Sequence, residues 1–178
     1  MQVAIIYKSK YGATRQYAHW LAEALQWPLC TTPGEAEGRL ENYPCILIGS
    51  SVYFGKLLIA DWLEKNQFHL QHKKLFLFIV CATPGTEPEK RERILLDNIP
   101  ALLYGRIVPV FLPGRLQFDQ LSFWHKVVLK TATLFEKDPV RKKVMIENVD
   151  EVKKQYLEPL LTQVNNYLNA QQLTPVTH

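Results

Sequence analysis

The stretch I-Y-K-S-K-Y-G-A-T-R, residues 6–15, decides how this chain is read. An apolar run from Val3 to Tyr7 stops at Lys8, and two hydroxyls and a glycine separate it from an amphipathic stretch. A buried strand, Gln2 to Tyr7, therefore turns directly into a helix. Ala18, Leu21, Ala22 and Leu25 recur at helical spacing, which predicts a helix over Ala13 to Trp27, ended by Pro28. The linking loop, Ser9 to Thr14, sits where the first helical N–H groups lack partners within the helix and carry the positive end of its dipole. Two uses fit. Ser9 or Thr14 can cap the helix. Alternatively the loop cradles a phosphate, with both hydroxyls as donors and Gly12 letting the backbone come close. The motif by itself does not choose between them.

Working outward, the same alternation repeats. Leu29 and Cys30 make at most a short strand, and the polar stretch Thr31 to Tyr43 reads as loop. Pro44 to Gly49 is an apolar strand, Lys56 to Phe68 a helix with Leu57, Ile59, Ala60, Leu63 and Phe68 as its apolar set. Lys74 to Cys81 is a continuous buried strand, and Glu87 to Asn98 a charged helix with Pro88 in its first turn. Arg106 to Leu112 is a further strand, where Pro109 argues for a bend or an edge. Gln120 to Phe135 and Val149 to Asn169 are helical, the latter kinked or restarted near Pro159. Strands that are apolar throughout, alternating with helices, predict an open, doubly wound parallel sheet covered on both faces. Residues 1–170 read as a single domain with an inserted helical segment around 115–136, and 171–178 as a tail.

Composition narrows the classes. The chain has 178 residues, 47% hydrophobic and 21% charged, which suits one ordinary globular domain. The N-terminus has no basic leader, and its apolar run is too short for a signal peptide or a membrane span. Cys30, Cys45 and Cys81 have no C-x-x-C spacing and read as buried free thiols, which fits a reducing cytoplasm. His69 and His72 lack companion ligands and read as surface, so no metal site is expected. The net charge of +4 favours anionic partners, without any motif for nucleic acid.

In a doubly wound sheet, ligands bind beyond the carboxyl ends of the strands. Three loops meet there: Ser9 to Thr14, Ser50 to Gly55, and Ala82 to Glu87. The second offers the flat side chains of Tyr53 and Phe54; the third offers Thr83, Gly85 and Thr86. One phosphate cradle with aromatic and backbone walls suits flavin mononucleotide (FMN), and no G-x-G-x-x-G fingerprint for a dinucleotide is present.

K-S-K-Y-G-A-T resembles the phosphate loop of flavodoxins. I-G-S-S-V-Y-F-G-K and P-G-R-L-Q-F-D-Q-L-S-F-W-H-K (113–126) are similar to the flavodoxin-domain branch that includes menaquinone-dependent protoporphyrinogen IX dehydrogenase. Gly114, Leu116, Phe118 and Leu121 match the branch pattern; His125 stands where it usually has an acid. The likeness spans Val3 to about Leu168. It implies FMN held by Ser9, Lys10, Tyr11, Gly12, Ala13 and Thr14 at the phosphate. Ser51, Val52, Tyr53, Phe54, Gly55, Thr83, Pro84, Gly85 and Thr86 would flank the ring, with the backbone near Phe54 and Gly55 as partner of flavin N5. It further implies oxidation of protoporphyrinogen IX with a quinone as acceptor, no catalytic side chain beyond the flavin's own chemistry, and peripheral contact with the inner face of the cell membrane. Arg115, Trp124 and Lys126 are the substrate residues this suggests. The alternative reading of that segment is a helix packing its apolar stripe on the sheet with solvated lysines outside, Arg141 to Lys143 included. Other functions the fold would allow are a flavodoxin-type electron carrier and an FMN-dependent quinone reductase. Carriers are usually strongly acidic, so the net positive charge favours the enzyme.

Overall fold

Parallel pairing builds the sheet from the centre outward. In the computed structural model, which describes residues 3–26, 29–36, 38–81, 88–116 and 148–173, β1 (Val3–Lys8) lies between β2 (Leu29–Thr31) and β3 (Cys45–Tyr53). Beyond β3 come β5 (Lys74–Cys81) and β6 (Ile107–Pro113), all parallel, in the order β2-β1-β3-β5-β6. The reversal of order at β1 and β3 is the switch point of a doubly wound sheet, and its crevice opens at the carboxyl ends. Pro109 lies in the edge strand β6, where a missing N–H is tolerated.

Alternate residues of β1, β3, β5 and β6 feed separate cores. Ile46, Ile48, Leu75, Leu77 and Ile79 pack with Trp62, Leu63 and Leu70 of α3 (Ala60–Leu70). Ile94 and Leu95 of α4 (Pro88–Asn98) rest partly buried on this core. On the other face, Ile5, Leu47, Phe76 and Phe78 pack with Tyr17, Ala18 and Leu21 of α1 (Ala13–Leu25), and with Leu160 and Val164 of α5 (Glu158–Leu173). Helices on both faces explain why the strands are apolar without alternation.

Several expectations shift. The strand expected to stop at Gly49 runs on to Tyr53, and Lys56–Leu57 is not helix but a short strand, β4, antiparallel to β3. The Tyr53-Phe54-Gly55-Lys56 turn has positive φ at both central residues, 48° at Phe54 and 77° at Gly55, which folds a tight hairpin. Helix α3 therefore starts only at Ala60, and Phe68, expected in its apolar set, is 70% exposed. The loop expected over Thr31 to Tyr43 contains the short helix α2 (Pro33–Ala36) and a 3-10 turn, Leu40–Asn42. The inserted segment begins not as helix but as β7 (Arg115–Leu116), antiparallel to β8 (Val149–Asp150). The last helix, expected from Val149 to Asn169, begins only at Glu158, beside Pro159: Val149–Asp150 is strand β8, a 3-10 turn, Lys154–Leu157, follows, and α5 runs on to Leu173. The helix expected over Gln120 to Phe135 lies outside the described residues. Among those described, no helix is long and apolar enough to cross a membrane.

Candidate functional site: the phosphate loop and its cleft

The loop after β1 is pinned from within. Ser9 Oγ accepts the Gly12 N–H at 3.1 Å, and Gly12, at φ 81°, caps α1 in the left-handed conformation that favours glycine. Nothing would crowd a Cβ at Gly12, so the glycine is needed for backbone conformation alone. Thr14 is fully buried, and its hydroxyl hydrogen-bonds the Ser51 hydroxyl at 2.7 Å. Thr14 thus ties the loop to the end of β3. The plain capping reading expected a Ser9 or Thr14 cap on α1, but the N-cap is Gly12, with no side-chain hydrogen bond from it.

Above the loop lies a cleft of about 890 Å³, lined by Lys8, Ser9, Lys10, Tyr11, Gly12, Arg15, Gln16 and Arg115, with Tyr7 and Thr32 to Gly34. Among the described residues no Asp or Glu lines it, and α1 has no acid in its first turn. Four cations therefore line the cleft at the start of a helix, Arg115 among them paired with Asp150, a combination that favours an anion. Lys10 Nζ sits 3.3 Å from the centroid of the Tyr53 ring and 5.7 Å from that of Tyr11, bridging the phosphate loop and the hairpin. Burial raises the Tyr11 phenol above its ordinary value, and the Lys10 charge works against that rise.

The hairpin, expected as the second wall, lies beside the loop, and its Tyr53 and Phe54 line a neighbouring cleft, not the phosphate-loop cleft itself. Tyr53 and Phe54 meet edge to face, centroids 4.7 Å apart, and the Phe54 ring is 57% exposed. Ser51 and Val52 are half-buried behind them. Asn98, at the end of α4 and buried, holds the turn: its Nδ2 donates to the Gly55 carbonyl at 2.8 Å, and its Oδ1 accepts the Leu57 N–H at 2.8 Å. Next to the hairpin a second cleft of about 750 Å³ is lined by Phe54, Lys56, Asp61, Glu64, Asp97 and Asn98, among others.

Loop and hairpin are thus brought together as expected. Thr83, Pro84, Gly85 and Thr86, expected as the third wall, lie outside the described residues, as do Trp124 and Lys126. Arg115, expected at a substrate, lines the phosphate-loop cleft. Sequence reasoning did not single out Lys8, Arg15, Gln16 or Asn98. The two cations flank the loop and could have been noticed; Asn98 had no signal, because its partners lie 41 and 43 residues away. Of the thiols, Cys45 is buried and Cys81 half-buried; the Cys30 side chain is outside the described residues. His69 and His72 are exposed, and no cluster of metal-ligating groups occurs among the described residues.

A doubly wound sheet, a phosphate loop at its switch point and an aromatic hairpin beside it define a flavodoxin-like flavoprotein. A model of the flavodoxin domain matches residues 4–143, and the chain belongs to that family. FMN is the cofactor that family and loop together assign. None of the curated proteins matches the chain. Among solved structures, flavodoxin 1 from Bacillus cereus is 19% identical, with a TM-score of 0.45, over 64% of this chain and 86% of that one. The Trp repressor binding protein from Bacillus subtilis is 11% identical, with a TM-score of 0.47, over 64% and 84%. An NADPH-quinone reductase from P. pentosaceus is 14% identical, with a TM-score of 0.42, over 74% and 95%.

The residues present fit FMN. The first turn of α1 and the surrounding cations suit a phosphate dianion, and the left-handed Gly12 keeps the loop backbone open to it. Tyr53 and Phe54 offer flat surfaces for the ring.

Proposed function

We propose that the protein is an FMN-dependent oxidoreductase that oxidises protoporphyrinogen IX to protoporphyrin IX, with a quinone as acceptor. One observation supports this most. The strands β7 and β8 flank residues 117–148 in sequence and pair with each other, and Arg115, in that pair, lines the phosphate-loop cleft. The branch-like segment 113–126 thus begins beside the phosphate-loop cleft. Bound FMN supplies the redox chemistry. The chain's own residues bind and orient: the Ser9–Thr14 loop takes the phosphate, and the Asn98-braced hairpin presents Tyr53 and the exposed Phe54 to the ring. Trp124 and Lys126 are assigned to the porphyrinogen on sequence likeness. The net charge of +4 suits a substrate bearing carboxylates and an anionic membrane surface where a quinone is met.

The test is anaerobic. The FMN-loaded protein is mixed with protoporphyrinogen IX, flavin absorbance is followed, and a menaquinone analogue is then added. Rapid bleaching with quinone-driven recovery is the expected result. A flavin that stays oxidised with porphyrinogen overturns the proposal and favours an electron carrier or a reductase fed by another donor.

A further inference from the structure

We propose that Arg115 is a ligand of the flavin nucleotide's phosphate and sets the protein's preference for FMN over riboflavin. This rests on the FMN assignment of the site and on no substrate. Arg115 is remote in sequence from the phosphate loop, yet it lines the same cleft. Its Nε donates to Asp150 Oδ2 at 2.8 Å, and its Nη2 donates to Gln16 Oε1 at 3.1 Å. Gln16 accepts this bond while lying in the opening turn of α1, so the guanidinium stands at the helix's positive end.

A cation is poorly placed at a helix N-terminus unless something negative joins it. Asp150 balances one charge, but Lys8, Lys10 and Arg15 line the cleft too, and among the described residues no acid does. A guanidinium has five N–H donors, and Asp150 and Gln16 use two of them. Among the described residues no partner takes the others. Asp150 and Gln16 fix the orientation of the Arg115 fork, whose side chain is 21% exposed, and a guanidinium held in this way is suited to a charge-assisted bond to phosphate. The tether is built into the fold: Arg115 pairs with Asp150 across β7 and β8, and Asp150 Oδ1 also accepts the Val152 N–H at 3.2 Å. One residue thus links the phosphate site to the root of the segment between Leu116 and Val149.

Dissociation constants for FMN and riboflavin are measured by flavin fluorescence on the full-length protein, on Arg115→Gln, Arg115→Lys and Asp150→Asn. Arg115→Gln is expected to weaken FMN about tenfold or more while changing riboflavin less than about twofold. Arg115→Lys keeps the charge and is expected to fall between; Asp150→Asn, which loosens the tether, shrinks the FMN-to-riboflavin ratio without abolishing it. The salt dependence of FMN binding flattens in Arg115→Gln. Equal losses for both ligands mean a structural role and overturn the proposal. Unchanged FMN affinity overturns it as well, and points to a carboxylate brought by a substrate as the anion Arg115 meets. A wild-type protein that binds neither flavin overturns this inference together with the cofactor assignment, whereas failure of porphyrinogen to bleach the flavin leaves this ratio intact.

Discussion

Thr14 shows how one hydroxyl can serve two elements. Its buried bond to Ser51 joins the phosphate loop to the strand that carries the hairpin. Thr14→Ala leaves the Ser51 hydroxyl short of a partner and is expected to cost about 1–2 kcal/mol of stability and to weaken FMN binding. Ser51→Ala should do likewise. Because they share one bond, the double variant should lose clearly less than the sum, measured by denaturant unfolding. Cys45 and Tyr17 bear on pH. Burial pushes the Cys45 thiol from an ordinary 9.0 up to about 12, and the Tyr17 phenol from 10.0 up to about 12. Above pH 9 the unfolded chain gives up these protons while the folded chain keeps them. Unfolding is then favoured by every step up in pH, so stability is expected to fall between pH 9 and 12. Cys45→Ala should flatten the early part of that fall in urea titrations. Thr14 and Ser51 were both legible as site residues, but not their bond: it spans 37 residues of chain, and nothing in either segment announces it.

At the scale of elements, the β3–β4 hairpin carries a conflict. A turn with positive φ at both central positions prefers Asn-Gly, and here Phe54 takes the first place at φ 48°. Phe54→Asn is expected to raise stability by a few tenths of a kcal/mol to about 1 kcal/mol and, by removing a ring wall, to weaken FMN binding. Thermal melts of the apo-protein paired with flavin titrations would check both signs. A rise in both affinity and stability would show that the phenyl group is not a wall. Asn98 is the brace. Asn98→Ala leaves the Gly55 carbonyl and the Leu57 N–H without it, so about 2 kcal/mol or more should be lost, and the Leu57 amide should exchange faster with solvent. This is also where sequence reading went astray. Leu57, Ile59, Ala60 and Leu63 mimic a helical stripe, but Leu57 is strand and Phe68 points to water, because a turn beginning at Phe54 and the Asn98 bonds decide the local fold. Helical spacing in a short apolar run cannot distinguish these cases.

Across the whole molecule, long-range pairing reproduces the strand-and-helix alternation closely. The apolar runs at Val3, Cys45 and Lys74 became β1, β3 and β5 because each is buried from two sides, and that burial is written in composition; the run at Ile107 became the partly buried edge strand β6. What composition could not carry is contact between distant segments: Tyr17 Oη donating to the Pro113 carbonyl at 2.9 Å, or Arg115 reaching α1. These contacts bring the root of the β7–β8 pair onto the phosphate cleft. A ligand that binds only the folded protein stabilises it in proportion to ln(1 + [L]/Kd). FMN should therefore raise the melting temperature progressively with concentration, and riboflavin should raise it less at equal concentration. Equal shifts would mean that the phosphate goes unread.

A crystal structure of the FMN complex tests directly where the phosphate lies. The phosphate is expected on the first turn of α1, within hydrogen-bond reach of the loop N–H groups from Lys10 to Thr14, with the ring against Tyr53 and Phe54. A phosphate bound anywhere else, with the Ser9–Thr14 loop facing only solvent, would contradict it.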